Sequence, residues 1–352
     1  MSGLMVWNPD HYLKYLYDSI SPIERFRANS EQEWSEWRNR LRQRFVELLG
    51  GFPAEAADLE PVVLESVDCG TYIRKRMQIQ TYAHLHMPFF VLIPKSTQHE
   101  GKLGAVIACH GHGYGSKDIV GLNPDGTAKT TDLGYQKNFA VELVQRGFIT
   151  VAPELFGFGD RKLAEDNLES NSCKRLSAFL LAMGQTMAGY RVYETLRLID
   201  YLYTREDVDV KRIGCMGISG GGMVCSFAAA LDDRISAAVV SGYANTFQSS
   251  ILAMHHCIDN YVPGLSLTAE LPDLLSLISP KPLLLEAGMS DPIFPVHATR
   301  EAHEQLKKVY ELLGASEQLE LSLFEGTHEI SGKHAYDWLN RVLASKAADS
   351  FS

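Results

Sequence analysis

The chain predicts an α/β fold: a mainly parallel central sheet of about eight strands, helices on both of its faces, and a helical extension in front. Three observations carry that expectation. Short unbroken apolar runs such as LGAVIACHG, FITVAP and KPLLLEAG have the length of buried strands and end at glycine or proline. Between them stand longer stretches with helical spacing of apolar residues. From about residue 103 the two kinds alternate, as they must when parallel strands are joined by helical crossovers.

In chain order, residues 1–60 form the extension. Within it SEQEWSEWRNRLRQRFVELLGGFP starts at Ser30, an N-cap, carries Glu33 three residues later, and stops at Gly50, Gly51 and Pro53. Its aromatic and leucine positions are expected to pack on the main body, the alternative being a second copy of the chain in a homo-oligomer. Residues 61–352 read as one domain. TYIRKRMQIQTYAHLHMPFFVLIPK offers two strands, and LGAVIACHG opens into a glycine loop. Then follow a helix near Gly134 to Gln145, the strand FITVAP, a long helix within Cys173 to Tyr203, the strand RIGCM, and a small-residue helix from Gly222 to Leu231. The strand ISAAVVSG, a cap-like insertion around 243–277, the strand KPLLLEAG, a helix across Ala298 to Leu313, the strand LELSLFEG and a last helix near Lys333 to Ala344 complete the domain.

Composition narrows the function classes. With 45% hydrophobic and 22% charged residues the chain is an ordinary globular one. Lys and Arg number 33 against 43 Asp and Glu, a net charge of −10, which gives a nucleic-acid partner no electrostatic support. No window of about 18 apolar residues suits a membrane span, and the opening MSGLMVWNPDHYLKYLYD lacks a basic segment followed by an apolar one, so a cytoplasmic protein is expected. Cysteines 69, 109, 173, 215, 225 and 257 show no metal-ligand spacing and read as reduced and structural. The H-x-H pairs His84 with His86 and His110 with His112 lack a matching Cys or carboxylate cluster, so neither a metal nor a cofactor is expected.

RIGCMGISGGGMVCSFAAAL breaks into four glycines and one serine before resuming as a helix. A phosphate-binding Walker loop would need lysine after its second glycine, where Met223 and Val224 stand. A dinucleotide loop starting at Gly220 and Gly222 would need glycine at position 225, which is Cys225. Gly217, Ser219 and Gly221 instead match G-x-S-x-G, the strand-turn-helix corner that lifts a nucleophilic serine above a sheet. Such a serine needs a histidine to accept its proton and a carboxylate to orient that histidine, in the order Ser, acid, His. LLLEAGMSDPIFP places Asp291 just beyond one strand, and SLFEGTHEI places His328 just beyond the last. Competing acids are Glu286, inside a strand, and Asp259, in the insertion; competing histidines are His255, His256, His297 and His303, none of which follows a terminal strand. Donors to a developing oxyanion are expected from the amide of Gly220 and, from ACHGHGYG, the amide of His112 or Gly113. The loop Tyr114 to Leu133 and the insertion Tyr243 to Leu277 are expected to shape the substrate pocket.

On MPFFVLIPK, CHGHGYG, VAPELFGFGDR and RVYETLRLIDYLYTREDVDVKRIGCMGISGGG, the chain resembles the α/β-hydrolase superfamily, and within it the dienelactone-hydrolase-like and acetyl-xylan-esterase-like carboxylesterases, over about residues 61 to 345. The resemblance implies an α/β-hydrolase fold, Ser219 as nucleophile, Asp291 as acid, His328 as base, and a small ester as substrate. Ser219 stands where dienelactone hydrolases carry cysteine, which favours esters over lactones. A related peptidase group carries a propeller domain in front and an aromatic or amide residue after the serine; here residues 1–60 precede the core and Gly220 follows the serine. A non-catalytic binding protein on the same fold is the reading from another functional class.

Overall fold

The apolar runs assemble into one nine-stranded sheet in the structure, a computed structural model that describes residue 7, residues 9–95 and residues 101–348. Residues 1–6 and 8, part of the opening stretch read above for a leader, lie outside the described residues. The strands are β1 (Val62–Asp68), β2 (Tyr72–Tyr82), β3 (Leu85–Pro94), β4 (Leu103–Cys109), β5 (Ile149–Pro153), β6 (Val208–Ile218), β7 (Ala237–Ser241), β8 (Leu283–Gly288) and β9 (Leu319–Phe324), in the spatial order β1-β2-β3-β5-β4-β6-β7-β8-β9. β1, β2, β3 and β5 pair antiparallel in succession, whereas β5-β4-β6-β7-β8-β9 are all parallel. β5, β7 and β8 are buried along their whole length, the state their uninterrupted apolar sequences require. β1 (VVLESVD) is an exposed edge without apolar alternation, and it is the one strand no sequence pattern singled out.

The helices are α1 (Pro9–Asp18), α2 (Glu31–Leu48), α3 (Phe139–Gln145), α4 (Cys173–Ala182), α5 (Met187–Tyr203), α6 (Gly220–Leu231), α7 (Leu265–Thr268), α8 (Leu271–Ser276), α9 (Val296–Leu312) and α10 (Ala335–Ala348). Phe139, Leu143, Leu339 and Leu343 of α3 and α10 fill one face of the sheet. Leu198, Val224, Leu274 and Leu306 of α5, α6, α8 and α9 fill the other. Among the described residues no helix is long and apolar enough to cross a membrane.

Two helices differ from the periodicity. The segment 173–203 is split, because Gly184 turns left-handed (φ 73°) and the Thr186 hydroxyl then caps a new helix by accepting from the Gly189 amide at 2.9 Å. α3 starts only at Phe139, since Lys137 and Asn138 both adopt φ 51° and cannot belong to a right-handed helix.

The extension packs as its pattern requires. Ser30 accepts from the Glu33 amide at 3.2 Å, and Trp37, Leu41 and Phe45 of α2 are buried. Phe45 meets Phe227 of α6 edge-on at 4.8 Å, so α2 braces the helix that follows Ser219. Phe45→Ala should therefore lower unfolding stability by about 3–5 kcal/mol, the usual cost of an emptied aromatic site. Urea denaturation checks this, and a loss below about 1 kcal/mol would mean that α2 is not part of the core.

Candidate active site

Ser219 sits between β6 and α6 with φ 58° and ψ −127°, a backbone state that a residue with a Cβ adopts only when its surroundings enforce it. The enforcing contacts are close. A Cβ on Gly217 would lie 2.2 Å from the Gly221 carbonyl oxygen, and one on Gly221 would lie 2.0 Å from that of Cys109. Only glycines at both positions let β6, α6 and the end of β4 approach so nearly, and the Ser219 amide donates to the Ser241 carbonyl at 3.0 Å to fix the corner.

His328 and Asp291 meet across the ends of β8 and β9. The His328 Nδ1 lies 2.8 Å from Asp291 Oδ2, while Asp291 Oδ1 accepts from the amides of Ile293 (2.8 Å) and Phe294 (2.9 Å). A carboxylate satisfied on both oxygens holds the ring in the tautomer that carries its proton on Nδ1 and leaves Nε2 as a base. The ring is stacked between Tyr135 and Phe294, each with its centroid at 5.6 Å, and Gly242 lies against its edge. Nε2 is buried and has no hydrogen-bond partner. Ser219 and His328 line one cavity of about 490 Å³, together with His112, Tyr135, Phe294 and residues 254–257 of the insertion. A strained serine and an orphaned imidazole nitrogen facing the same space constitute the parts for nucleophilic acyl transfer.

The amide of Gly220 opens α6, where no intrahelical acceptor exists for it. His112 backs onto Gly220, where a Cβ would meet its ring at 3.2 Å, and its carbonyl accepts from the Tyr135 hydroxyl at 2.7 Å. His112 lines the cavity, whereas Gly113 faces the Asp118 carboxylate and the Gln136 amide. His110 is fully buried and accepts from the Leu155 amide at Nε2 (3.2 Å), with Nδ1 2.8 Å from the Gly111 carbonyl; burial pushes its pKa down to about 3. It braces the loop as a neutral ring.

The competing groups have other work. Glu286 accepts from the Ser241 hydroxyl (2.9 Å) and from the amides of Ser331 (3.2 Å) and Gly332 (2.9 Å), tying down the loop that carries His328; burial raises its pKa. Asp259 is buried 2.6 Å from Arg191 Nη1 and 3.2 Å from His112 Nε2, far from the role of orienting His328. Burial opposes the charge on Asp259, yet Arg191 and His112 together outweigh it and hold the carboxyl well below its ordinary range. Burial likewise opposes a charge on His112, but Asp259 and Cys173 push its pKa up to about 9. His297 and His303 belong to α9, while His255 and His256 sit in the cavity wall.

The structure corrects two expectations. The segment 114–133 does not line the cavity; Lys129 binds Asp118 at 2.5 Å and Gln136 binds it at 2.7 Å, folding that segment back on itself and leaving Tyr135 at the site. Nor does His112 lack a Cys and carboxylate cluster: Cys173, Cys257 and Asp259 converge with it, one ligand atom from each lying within 4.8 Å of every other. Their positions in the chain carry no spacing signal beyond the Cys257, Asp259 pair.

The family model described as Abhydrolase family matches residues 13–325. A protein of Bacillus subtilis (strain 168) provisionally named hydrolase YtaP is 28% identical over 292 residues, covering 80% of this chain and 90% of that protein. Among solved structures, one from Bacteroides fragilis NCTC 9343, provisionally named an acetyl xylan esterase, superposes with a TM-score of 0.80 at 18% identity over 96% of this chain and 95% of its own. A glucuronoyl esterase from Solibacter usitatus superposes with a TM-score of 0.64 at 16% identity, over 90% and 94% of the two chains. At such identities these structures share the fold.

Proposed function

The chain belongs to the Abhydrolase family and has the α/β-hydrolase fold, and from that premise we propose that it is a serine carboxylesterase acting on small esters, with acetyl or other short acyl groups, acetylated sugars included. One observation carries the reading: the 2.8 Å His328–Asp291 contact leaves the buried Nε2 facing the cavity that holds strained Ser219. In the reaction, His328 Nε2 takes the proton from the Ser219 hydroxyl as its oxygen attacks the ester carbonyl. The carbonyl oxygen becomes negative against the amides of Gly220 and His112, and each such donor contributes about 2.7–4 kcal/mol to the transition state. The imidazolium, stabilised by Asp291, returns the proton to the departing alcohol oxygen. Water then attacks the acyl-Ser219 ester, giving its proton to Nε2, and the carboxylic acid leaves as Ser219 recovers its proton.

The cavity of about 490 Å³ has room for the acyl and alcohol parts of a small ester together. On p-nitrophenyl esters from acetate to dodecanoate, turnover should be highest at acetate to butyrate and fall with length; absence of turnover on every ester would overturn the reading. Gly242→Ala should reduce kcat about 10²-fold, because a Cβ there would press on His328 Cε1 at 3.0 Å in a backbone of φ 51°. Unchanged kcat in that variant would show that the ring's position is not critical.

A further inference from the structure

His112 comes from the loop after β4, Cys173 opens α4, and Cys257 and Asp259 belong to the insertion. Chain segments this distant bring a ring nitrogen, two sulfurs and a carboxylate oxygen within 4.8 Å of one another. Around a tetrahedral zinc ion, with bonds of about 2.0–2.3 Å, donor atoms stand about 3.3–3.8 Å apart, so a contraction of about 1 Å at the widest pair would close the set. The His112 Nε2 gives an independent sign. The Nε2 atom is itself buried and faces Asp259 Oδ2 at 3.2 Å without the alignment of a full hydrogen bond, so the ring nitrogen points into the cluster.

We propose that His112, Cys173, Cys257 and Asp259 form a zinc site that clamps the insertion to α4 and to the loop beside Gly220. With four protein ligands the coordination is closed, as in structural zinc sites, and the ion does not take part in ester cleavage. The surrounding groups suit it. Arg191 donates to Asp259 Oδ2 at 2.6 Å and to Cys173 Sγ at 3.1 Å, and the Asn260 side-chain amide donates to Asp259 Oδ1 at 2.8 Å, which are the outer hydrogen bonds that orient ligands. Charge balances as well: two thiolates and one carboxylate against a dication and the Arg191 guanidinium sum to zero, as a buried site requires. Zinc enters as Zn²⁺, displacing the thiol protons of Cys173 and Cys257 and any proton on His112 Nε2; no electron is transferred. Two thiolates favour zinc over calcium or magnesium. Cys257 is half-buried in the cavity wall, which gives the ion a way in.

The test uses the full, tag-free chain, reduced and stripped with a chelator, then supplied with Zn²⁺ or Co²⁺. We expect about one zinc per chain by elemental analysis after gel filtration, a higher Tm in its presence, and in the cobalt form the visible bands of a tetrahedral ion with a thiolate-to-cobalt charge-transfer band. Cys173→Ser and Cys257→Ser should each weaken zinc binding by more than about 100-fold, beyond the loss usual for outer-shell partners. Failure of the reduced wild-type chain to retain zinc, or a cobalt spectrum without the thiolate band, would overturn the proposal even if the variants misfold. So would a Cys173–Cys257 disulfide that, once reduced, yields no metal uptake. None of these readouts depends on ester turnover, so the site stands or falls separately from the esterase reading.

Discussion

Ser219→Ala is expected to lower kcat on p-nitrophenyl acetate by about 10⁶-fold, with the fold unchanged by circular dichroism and urea denaturation. Alanine keeps the Cβ that the corner already accommodates, so the strained turn at φ 58° persists while the attacking oxygen is removed. Loss of the nucleophile alone costs about as much as loss of all three groups in such a unit, since the base and acid have nothing left to activate. The residual rate then comes from the amides of Gly220 and His112 and from binding. Retention of more than about 1% of turnover would place the nucleophile elsewhere.

Asp291→Asn is expected to lower kcat by about 10⁴-fold with little change in KM, the size of effect that follows when an amide replaces the carboxylate and the wrong tautomer is favoured. Its geometry supports this: Oδ2 meets His328 Nδ1 at 2.8 Å, and Oδ1 is held by two backbone amides. Asp259→Asn should behave differently. It leaves buried Arg191 without its carboxylate, so stability should drop by about 3–5 kcal/mol while kcat of the folded fraction stays within about tenfold. Steady-state kinetics and denaturation on both variants decide the assignment, and the reverse pattern would make Asp259 the orienting acid.

The corner around Ser219 was legible because its requirements are local: two glycines at fixed offsets, an apolar strand before and a small-residue helix after, all within about a dozen positions. Asp291 and His328 could be found from sequence because a parallel sheet gathers the carboxyl ends of its strands on one side, so a residue just past β8 must face one just past β9. The helix break at Gly184 was harder to see, since one glycine inside helical periodicity is ambiguous until its φ is known. β1 carries no alternation, being an exposed edge, and therefore left no pattern. The arrangement of His112, Cys173, Cys257 and Asp259 was invisible for a different reason. Three separate loops and helix ends make it, and only the packing of the insertion against α4 and α5 brings Arg191 and its partners together. The sequence left Gly113 and His112 alike; in the fold Gly113 lies against Asp118 and His112 lines the cavity.

Treating the wild-type chain with a fluorophosphonate and mapping the adduct by peptide mass spectrometry tests directly whether Ser219 is the nucleophile. If Ser219 is the nucleophile, one adduct forms per chain, on Ser219, at a rate that falls sharply in His328→Ala. An adduct on any other residue, or ester turnover that continues after full labelling of Ser219, would contradict it.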